Sequence, residues 1–459
     1  MKRRVIVRCC ALLLMVLGCN SQISKQEVAL LEQPNIIFIY TDDWGYGDLG
    51  CYGNTEVKTP NIDQLAKEGK RFTQFHNSSG VCSPSRASIL TGHFPARHNI
   101  HGTFENNVLN TERGMPNWLD EKTPFLLPRM MQNLGYITAH FGKWDLGKLP
   151  DGDSSTPKPK DYGYDEASVW NGNGPIWKGE EDTLWVQNSS KLVIDEAIDF
   201  ILRKKNQKPL FINLWMKDPH RPLIPSDEQK KVYDGFSKEK ETYYAVLSEA
   251  DKHIGRLMKV LEELHLRENT ILIFSSDNGP ANYDVAKTAG STAGLRGRML
   301  DTFQGGINVP FIISWPGHVK QGAVDSTSVL SGVDILPTFC ELGGMEELPE
   351  AYQADGESFA SVFENRTFNR TKPLFWDWRF SVPTEDQNDT HWVANAVRYG
   401  DWKLLVDEEN KRQELYHLTE DRFEQHNLAD KNEYMTKKLS EKLQQWKETL
   451  PYYTQKVPL

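Results

Sequence analysis

Cysteine is scarce in this chain, and the few present exclude a disulfide scaffold. Of six cysteines in 459 residues, Cys9, Cys10 and Cys19 fall in the leader, leaving Cys51, Cys82 and Cys340. An odd number at wide spacing does not staple a fold. No CxxC pair and no histidine-rich cluster suggests zinc. Basic runs are missing as well. The formal net charge is −10 and no basic-aromatic platform occurs, which argues against nucleic acid as a partner. There is no internal repeat and no low-complexity tract.

What is present suits a soluble globular protein: 39% hydrophobic and 25% charged residues. The length allows one large α/β domain plus a smaller one. Lys2, Arg3, Arg4 and Arg8 precede the apolar run Cys9–Leu17, too short to span a bilayer. The run ends in Val16-Leu17-Gly18-Cys19, which looks like a bacterial lipobox. The expectation is a signal peptide over 1–18, lipidation at Cys19 and a tether over 19–34. The protein would then be exported to the periplasm, outer membrane or cell surface, and would touch membrane only through its lipid. A plain secretory signal with an incidental Cys19 is the alternative.

Short apolar runs alternate with helical periodicity through the first 340 or so residues, the pattern of an α/β fold with a mostly parallel sheet. Asn35–Tyr40, Tyr136–Phe141, Leu210–Trp215, Thr270–Ser276 and Phe311–Ser314 read as buried strands. Thr59–Gly69, Phe125–Leu134, Lys191–Lys205 and Glu241–Leu264 read as helices, and 151–190 as a long loop. The domain expectation is a catalytic α/β unit over 35–348 and an α+β unit over 349–459. Its strands come from Lys372–Phe380, Ala396–Val406 and Glu414–Leu418, followed by a helix with Leu439, Leu443 and Trp446 on one face.

Three strand ends carry chemistry. The first apolar run stops at Asp42-Asp43. Adjacent carboxylates at the carboxyl end of a central strand repel unless a hard cation joins them. An acidic solvated turn is the bland alternative. Thr270–Ser276 stops at Asp277-Asn278-Gly279, adding a carboxylate and an amide oxygen. The stretch Val81–Gly92 sets Cys82 at a helix N-terminus, where backbone N–H groups favour negative charge. A buried free cysteine is the commoner fate of such a residue.

Cys82, Pro84, Ser85, Arg86, Leu90, Thr91 and Gly92 match the signature C-x-P-S/A-R-x-x-x-L-T-G, and the chain resembles the type I sulfatases. TDDWGYGDLGCYG at 41–53, the Pro219-His220-Arg221-Pro222 loop, LRG at 295–297 and DGES at 355–358 are similar to family segments and follow the family order. The resemblance implies a mixed, mostly parallel sheet sandwiched by helices, with a smaller C-terminal antiparallel sheet. It implies that Cys82 is oxidised to formylglycine by a formylglycine-generating enzyme, and that one hydroxyl of its hydrate attacks sulfur. It implies Ca2+ on Asp42, Asp43, Asp277, Asn278 and the modified Cys82. Arg86, Lys143 and His220 become catalytic residues, His220 protonating the leaving oxygen.

Four positions depart from the pattern, Gln304 standing where the family has glutamate and Asn308 where it has arginine. Asp145 stands where the family has histidine, and Met299 where it has lysine. Asp145 is expected to contact the reacting groups, and Arg298 to lean into the gap beside Met299. Three functions stay open: hydrolysis of a sulfate ester on a sulfated sugar or polysaccharide, hydrolysis of a phosphate or phosphonate ester, and non-catalytic glycan binding by a lipoprotein. The intact cysteine signature favours the first.

Overall fold

The computed structural model describes residues 33–104, 107–147, 156–170, 183–378, 395–407 and 412–451. The signal peptide, Cys19 and the tether up to residue 32 lie outside them.

The main sheet is built on β1 (Asn35–Thr41), β2 (Lys70–His76), β3 (Ile137–Lys143), β4 (Glu166–Trp170), β5 (Leu210–Trp215), β6 (Thr270–Ser276), β7 (Asn308–Ser314), β8 (Ala323–Asp325) and β9 (Leu330–Ser331). Its order is β4-β3-β5-β1-β6-β7-β2-β8, with β9 paired to β2. The pairings are parallel except those of β7, which is antiparallel to both β6 and β2. The mixed sheet expected from the sequence is the one observed.

Apolar side chains point alternately to both faces, so both faces need cover. Ile37 and Ile39 of β1 pack with α1 (Pro60–Glu68), α4 (Thr183–Lys204) and α5 (Lys238–Glu263). Ile36, Phe38 and Tyr40 pack on the other side with α2 (Cys82–Thr91), α3 (Leu127–Asn133) and α6 (Ile335–Leu342). The second sheet is the antiparallel series β10 (Leu374–Asp377), β11 (Asn395–Tyr399), β12 (Trp402–Val406) and β13 (Gln413–His417). It packs on α7 (Glu433–Lys447) in a core that also takes in Phe94, Phe303, Ile307 and Val333.

The loop expected over 151–190 is corrected in part. Glu166–Trp170 extends the sheet beside β3, and α4 begins at Thr183. The rings of Trp170 and Trp185 meet edge-on at 5.1 Å and are both buried, which ties these segments down.

Candidate active site

Parallel pairing aligns the carboxyl ends of β1, β3, β5 and β6 along one edge of the sheet, where open α/β folds place ligands. Thr41 of β1 lies level with Ser276 of β6, so Asp42-Asp43 and Asp277-Asn278 emerge side by side. The β1 turn is pinned there: the amide of Trp44 donates to Ser276 Oγ at 2.9 Å and that of Asp43 to Asp277 Oδ1 at 3.1 Å. Asp43 takes the left-handed region at φ +63, which aspartate tolerates better than most residues. Gly279 must be glycine: a Cβ there would stand 1.8 Å from the Gly305 carbonyl.

Cys82 is the first residue of α2, with Val81 as N-cap. Its thiol donates to Asp42 Oδ1 at 3.2 Å. Ligand atoms of Asp42, Asp43, Cys82 and Asp277 all lie within 4.8 Å of one another, and all four residues are buried. Burial, then Asp277 and Asp42, push the Cys82 thiol well above its ordinary pKa. A plain thiol here is therefore a poor source of thiolate.

Two cations counter the carboxylates. Arg86 donates from Nε and Nη2 to Asp277 Oδ2, at 3.0 and 2.6 Å, and Nη2 lies 3.7 Å from Asp42 Oδ1. Its guanidinium rests on the Tyr40 and Trp215 rings. Lys143, the last residue of β3, donates to Asp42 Oδ2 at 2.7 Å and lies 3.6 Å from Asp145 Oδ2. Burial opposes the ammonium, but Asp145 and Asp42 outweigh it and hold its pKa well above the ordinary lysine value. Two cations leave four carboxylates, those of Asp42, Asp43, Asp145 and Asp277, under-compensated. Burial, then Asp42 and Asp277, raise Asp43 far above the usual carboxylate range, and burial with Asp42 raises Asp277 to about 6. Asn278 donates from Nδ2 to Asp43 Oδ1 at 2.6 Å, while its Oδ1 is buried with no hydrogen-bond partner among the described residues.

His220 reaches the same edge from the turn after β5. Trp44 Nε1 donates to the Asp218 carbonyl at 2.8 Å, and Lys217 Nζ to the His220 carbonyl at 2.6 Å. The Asp218 carboxylate accepts from Ser189 and Ser190 of α4. Nδ1 of His220 lies 2.9 Å from the Arg221 carbonyl, so Nδ1 carries the proton and Nε2 is left to face Tyr283 Oη at 3.2 Å. Burial, then Lys143 and Lys217, hold His220 well below the ordinary histidine range.

The structure thus gathers Asp42, Asp43, Cys82, Arg86, Lys143, Asp145, His220, Asp277 and Asn278. Arg298 is not among them. Its guanidinium donates to the carbonyls of Ala281, Ala286 and Gly290, bracing the segment after β6, because the backbone at 298 faces that segment and not the cluster. Met299 packs in the apolar core. Tyr283 is the residue that sequence reasoning missed: it lies in a stretch without apolar period, and its hydroxyl finds Asp43 and His220 only through the fold.

A family model described as Sulfatase matches residues 34–345, and one described as N-sulphoglucosamine sulphohydrolase, C-terminal, matches residues 298–449. The chain is 29% identical to the N-acetylgalactosamine-6-sulfatase of Homo sapiens over 398 residues, covering 76% of this chain and 72% of that protein. It is 27% identical to the N-acetylgalactosamine-6-O-sulfatase of Bacteroides thetaiotaomicron over 515 residues, covering 93% and 96%. The crystal structure of Ps i-CgsB in complex with k-i-k-neocarrahexaose shares the fold with a TM-score of 0.75 at 24% identity, covering 90% of this chain and 92% of that one. Since the first of these matches spans well over half of the sequence, the chain belongs to the sulfatase family and is a sulfatase, a sulfuric ester hydrolase.

Proposed function

We propose that the enzyme removes sulfate from a sulfated sugar, using a formylglycine made from Cys82 and one calcium ion held by Asp42, Asp43, Asp277 and Asn278. The observation that carries this reading is the buried, under-compensated carboxylate cluster around Cys82, with the orphaned Asn278 Oδ1 beside it. Hard oxygen donors and a deficit of positive charge fit calcium. When bound, the ion supplies positive charge beside the nucleophile and the sulfate oxygens. The hydrated aldehyde of formylglycine supplies an oxygen nucleophile where a high-pKa thiol now stands. Cys82 is 1% exposed, so its oxidation by a formylglycine-generating enzyme has to precede folding.

The chain's own groups then divide the work. Asp42 accepts the hydrogen bond from position 82. Arg86 fixes the Asp277 carboxylate, and Lys143 stays charged to face the sulfate. His220, oriented through Nδ1, presents Nε2 to the leaving oxygen; neutral on its own, it takes up a proton at Nε2 when the anionic ester binds beside it and passes that proton on as general acid. The sugar is supported by the relatives named for N-acetylgalactosamine 6-sulfate and by the neocarrahexaose complex.

The test is the mass of the peptide Phe72–Arg86 from a host with the maturation machinery, with hydrolysis assays on paired sulfate and phosphate esters. A lighter, hydrazine-reactive peptide and turnover of the sulfate ester are expected. A thiol peptide in active enzyme would refute the modification, and preference for the phosphate ester would refute the substrate class. Export as a lipoprotein through Cys19 belongs to the same proposal: Cys19→Ala should release the protein from the membrane fraction.

A further inference from the structure

Tyr283 is joined to two parts of the site at once. Its Oη lies 3.2 Å from His220 Nε2 and 3.4 Å from Asp43 Oδ2. The ring is set edge-on to the imidazole, with centroids 6.3 Å apart. On its other flank the Arg221 guanidinium sits 4.4 Å from the ring centroid. Arg221 itself lies 3.9 Å from Asp284. The phenol is therefore held by neighbours on both sides of it in sequence and space.

His220 has two rotational anchors in consequence. One is the Arg221 carbonyl at Nδ1, a neighbour in the chain that turns with the loop. The other is Tyr283 at Nε2, which comes from the segment after β6, a different part of the chain. A phenol both donates and accepts, so the second contact survives whether Nε2 is bare or protonated. An imidazole tied only at Nδ1 can swing about that bond; tied at both nitrogens it cannot.

We infer that Tyr283 is a positioning residue for the leaving-group proton: its hydroxyl sets the plane of the His220 ring, and the single Nε2–H, once formed, is shared between Tyr283 Oη and the ester oxygen until it passes to the leaving alcohol. This rests on the role proposed for His220. Tyr283 would not touch the sulfate, so its loss should leave KM alone. It should act only where protonation limits the rate, on esters whose alcohols leave poorly.

The experiment uses full-length matured enzyme and aryl sulfates graded from 4-nitrophenyl to unsubstituted phenyl sulfate. Tyr283→Phe keeps the ring and removes the hydroxyl. Expected is a fall in kcat of about tenfold on phenyl sulfate, with little change on 4-nitrophenyl sulfate and an unchanged KM, a fraction of what general acid catalysis supplies. His220→Ala should tilt the series the same way and further. The double variant should be no worse than His220→Ala alone, because the two residues act as one unit. The ratio between substrates is read on one preparation, so partial unfolding cancels. A uniform fall across the series with reduced calcium content would overturn the inference, since Tyr283 would then act through Asp43. Additive losses in the double variant would also overturn it. No tilt in His220→Ala would refute the acid role itself, while a tilt there without one in Tyr283→Phe would refute only the inference.

Discussion

Two buried charge clusters in this protein are equally dry and oppositely made. Lys403 of β12 and Glu424 form a pair at 2.7 Å with both side chains at 0% exposure. Each partner is otherwise satisfied: Lys403 Nζ also donates to the Thr302 carbonyl at 2.6 Å, and Glu424 Oε2 accepts from the Gln304 amide at 2.6 Å. The pair stitches the second sheet to the segment ahead of β7. At the Cys82 cluster, four carboxylates, those of Asp42, Asp43, Asp145 and Asp277, face two cations, and among the described residues Asn278 Oδ1, Arg86 Nη1 and Asp145 Oδ2 are buried without a hydrogen bond. Burying unpaired polar groups costs about 1–3 kcal/mol each, more for charged ones. A fold tolerates that where something else completes the set. The balanced cluster is there for cohesion, and the unbalanced one is shaped for a ligand.

The sharpest way to separate the two is to break each and read both activity and stability. Cys82→Ala removes the nucleophile proposed above and should abolish turnover, by about 10⁴-fold or more, as nucleophile deletions do. Its melting temperature should barely move, because no ion pair is broken. Activity assays with thermal melts check this; an unfolded variant would mean that Cys82 is chiefly structural. Lys403→Ala should do the reverse. It strands the Glu424 carboxylate and should cost about 3–5 kcal/mol of stability. Turnover per folded molecule and calcium content should stay at the parental level. Lost calcium in this variant would erase the contrast.

The residues of the unbalanced cluster were the more legible in sequence. Asp42-Asp43 and Asp277-Asn278 directly follow the apolar runs 35–40 and 270–276, so strand ends announce them. Cys82 and Arg86 lie within one turn of a helix that Pro84 helps to start. The order of strands that brings them together was implied only through family resemblance. Long-range contacts were not legible at all. Glu424 meets Lys403 across a hairpin and an irregular segment, and Tyr283 meets His220 across 63 residues. Arg298 shows the limit of adjacency: sitting next to Met299 in the chain did not aim it at the same space. Segment 151–190 misled because its polar and glycine-rich texture hides two tryptophans that anchor β4 and α4.

Charge balance can also be restored from outside. In metal-free protein burial and Asp42 push Asp277 up to about 6 from an ordinary 3.8, and Asp43 is raised too. The folded state then binds protons more tightly than the unfolded chain. The sign follows: the contribution of this group to stability is fully present below 3.8 and is lost as pH rises through about 6. With chelator, the melting temperature should drop across that window. Calcium at a hundredfold excess over its Kd should add about 2.7 kcal/mol at neutral pH and flatten the dependence. A chelated protein whose stability rises with pH over that window would contradict the deficit of positive charge.

The smallest effect concerns Asp145, which takes φ +53 and lies 3.6 Å from Lys143 while its Oδ2 accepts no hydrogen bond. Lys143 keeps its closer partner, Asp42 at 2.7 Å, when Asp145 is changed. The Lys143–Asp42 pair therefore survives in Asp145→Asn. If that carboxylate oxygen handles the nucleophile's proton, kcat and kcat/KM should fall together by about tenfold, about 1.4 kcal/mol, with KM unchanged. A raised KM at constant kcat would instead make Asp145 a contact for the substrate. Asp145→His tests the family residue alone and should alter which ester is preferred. Pairing it with Met299→Lys would confuse the reading, because Met299 is buried in the apolar core and a lysine there would lose stability for reasons unrelated to the ester.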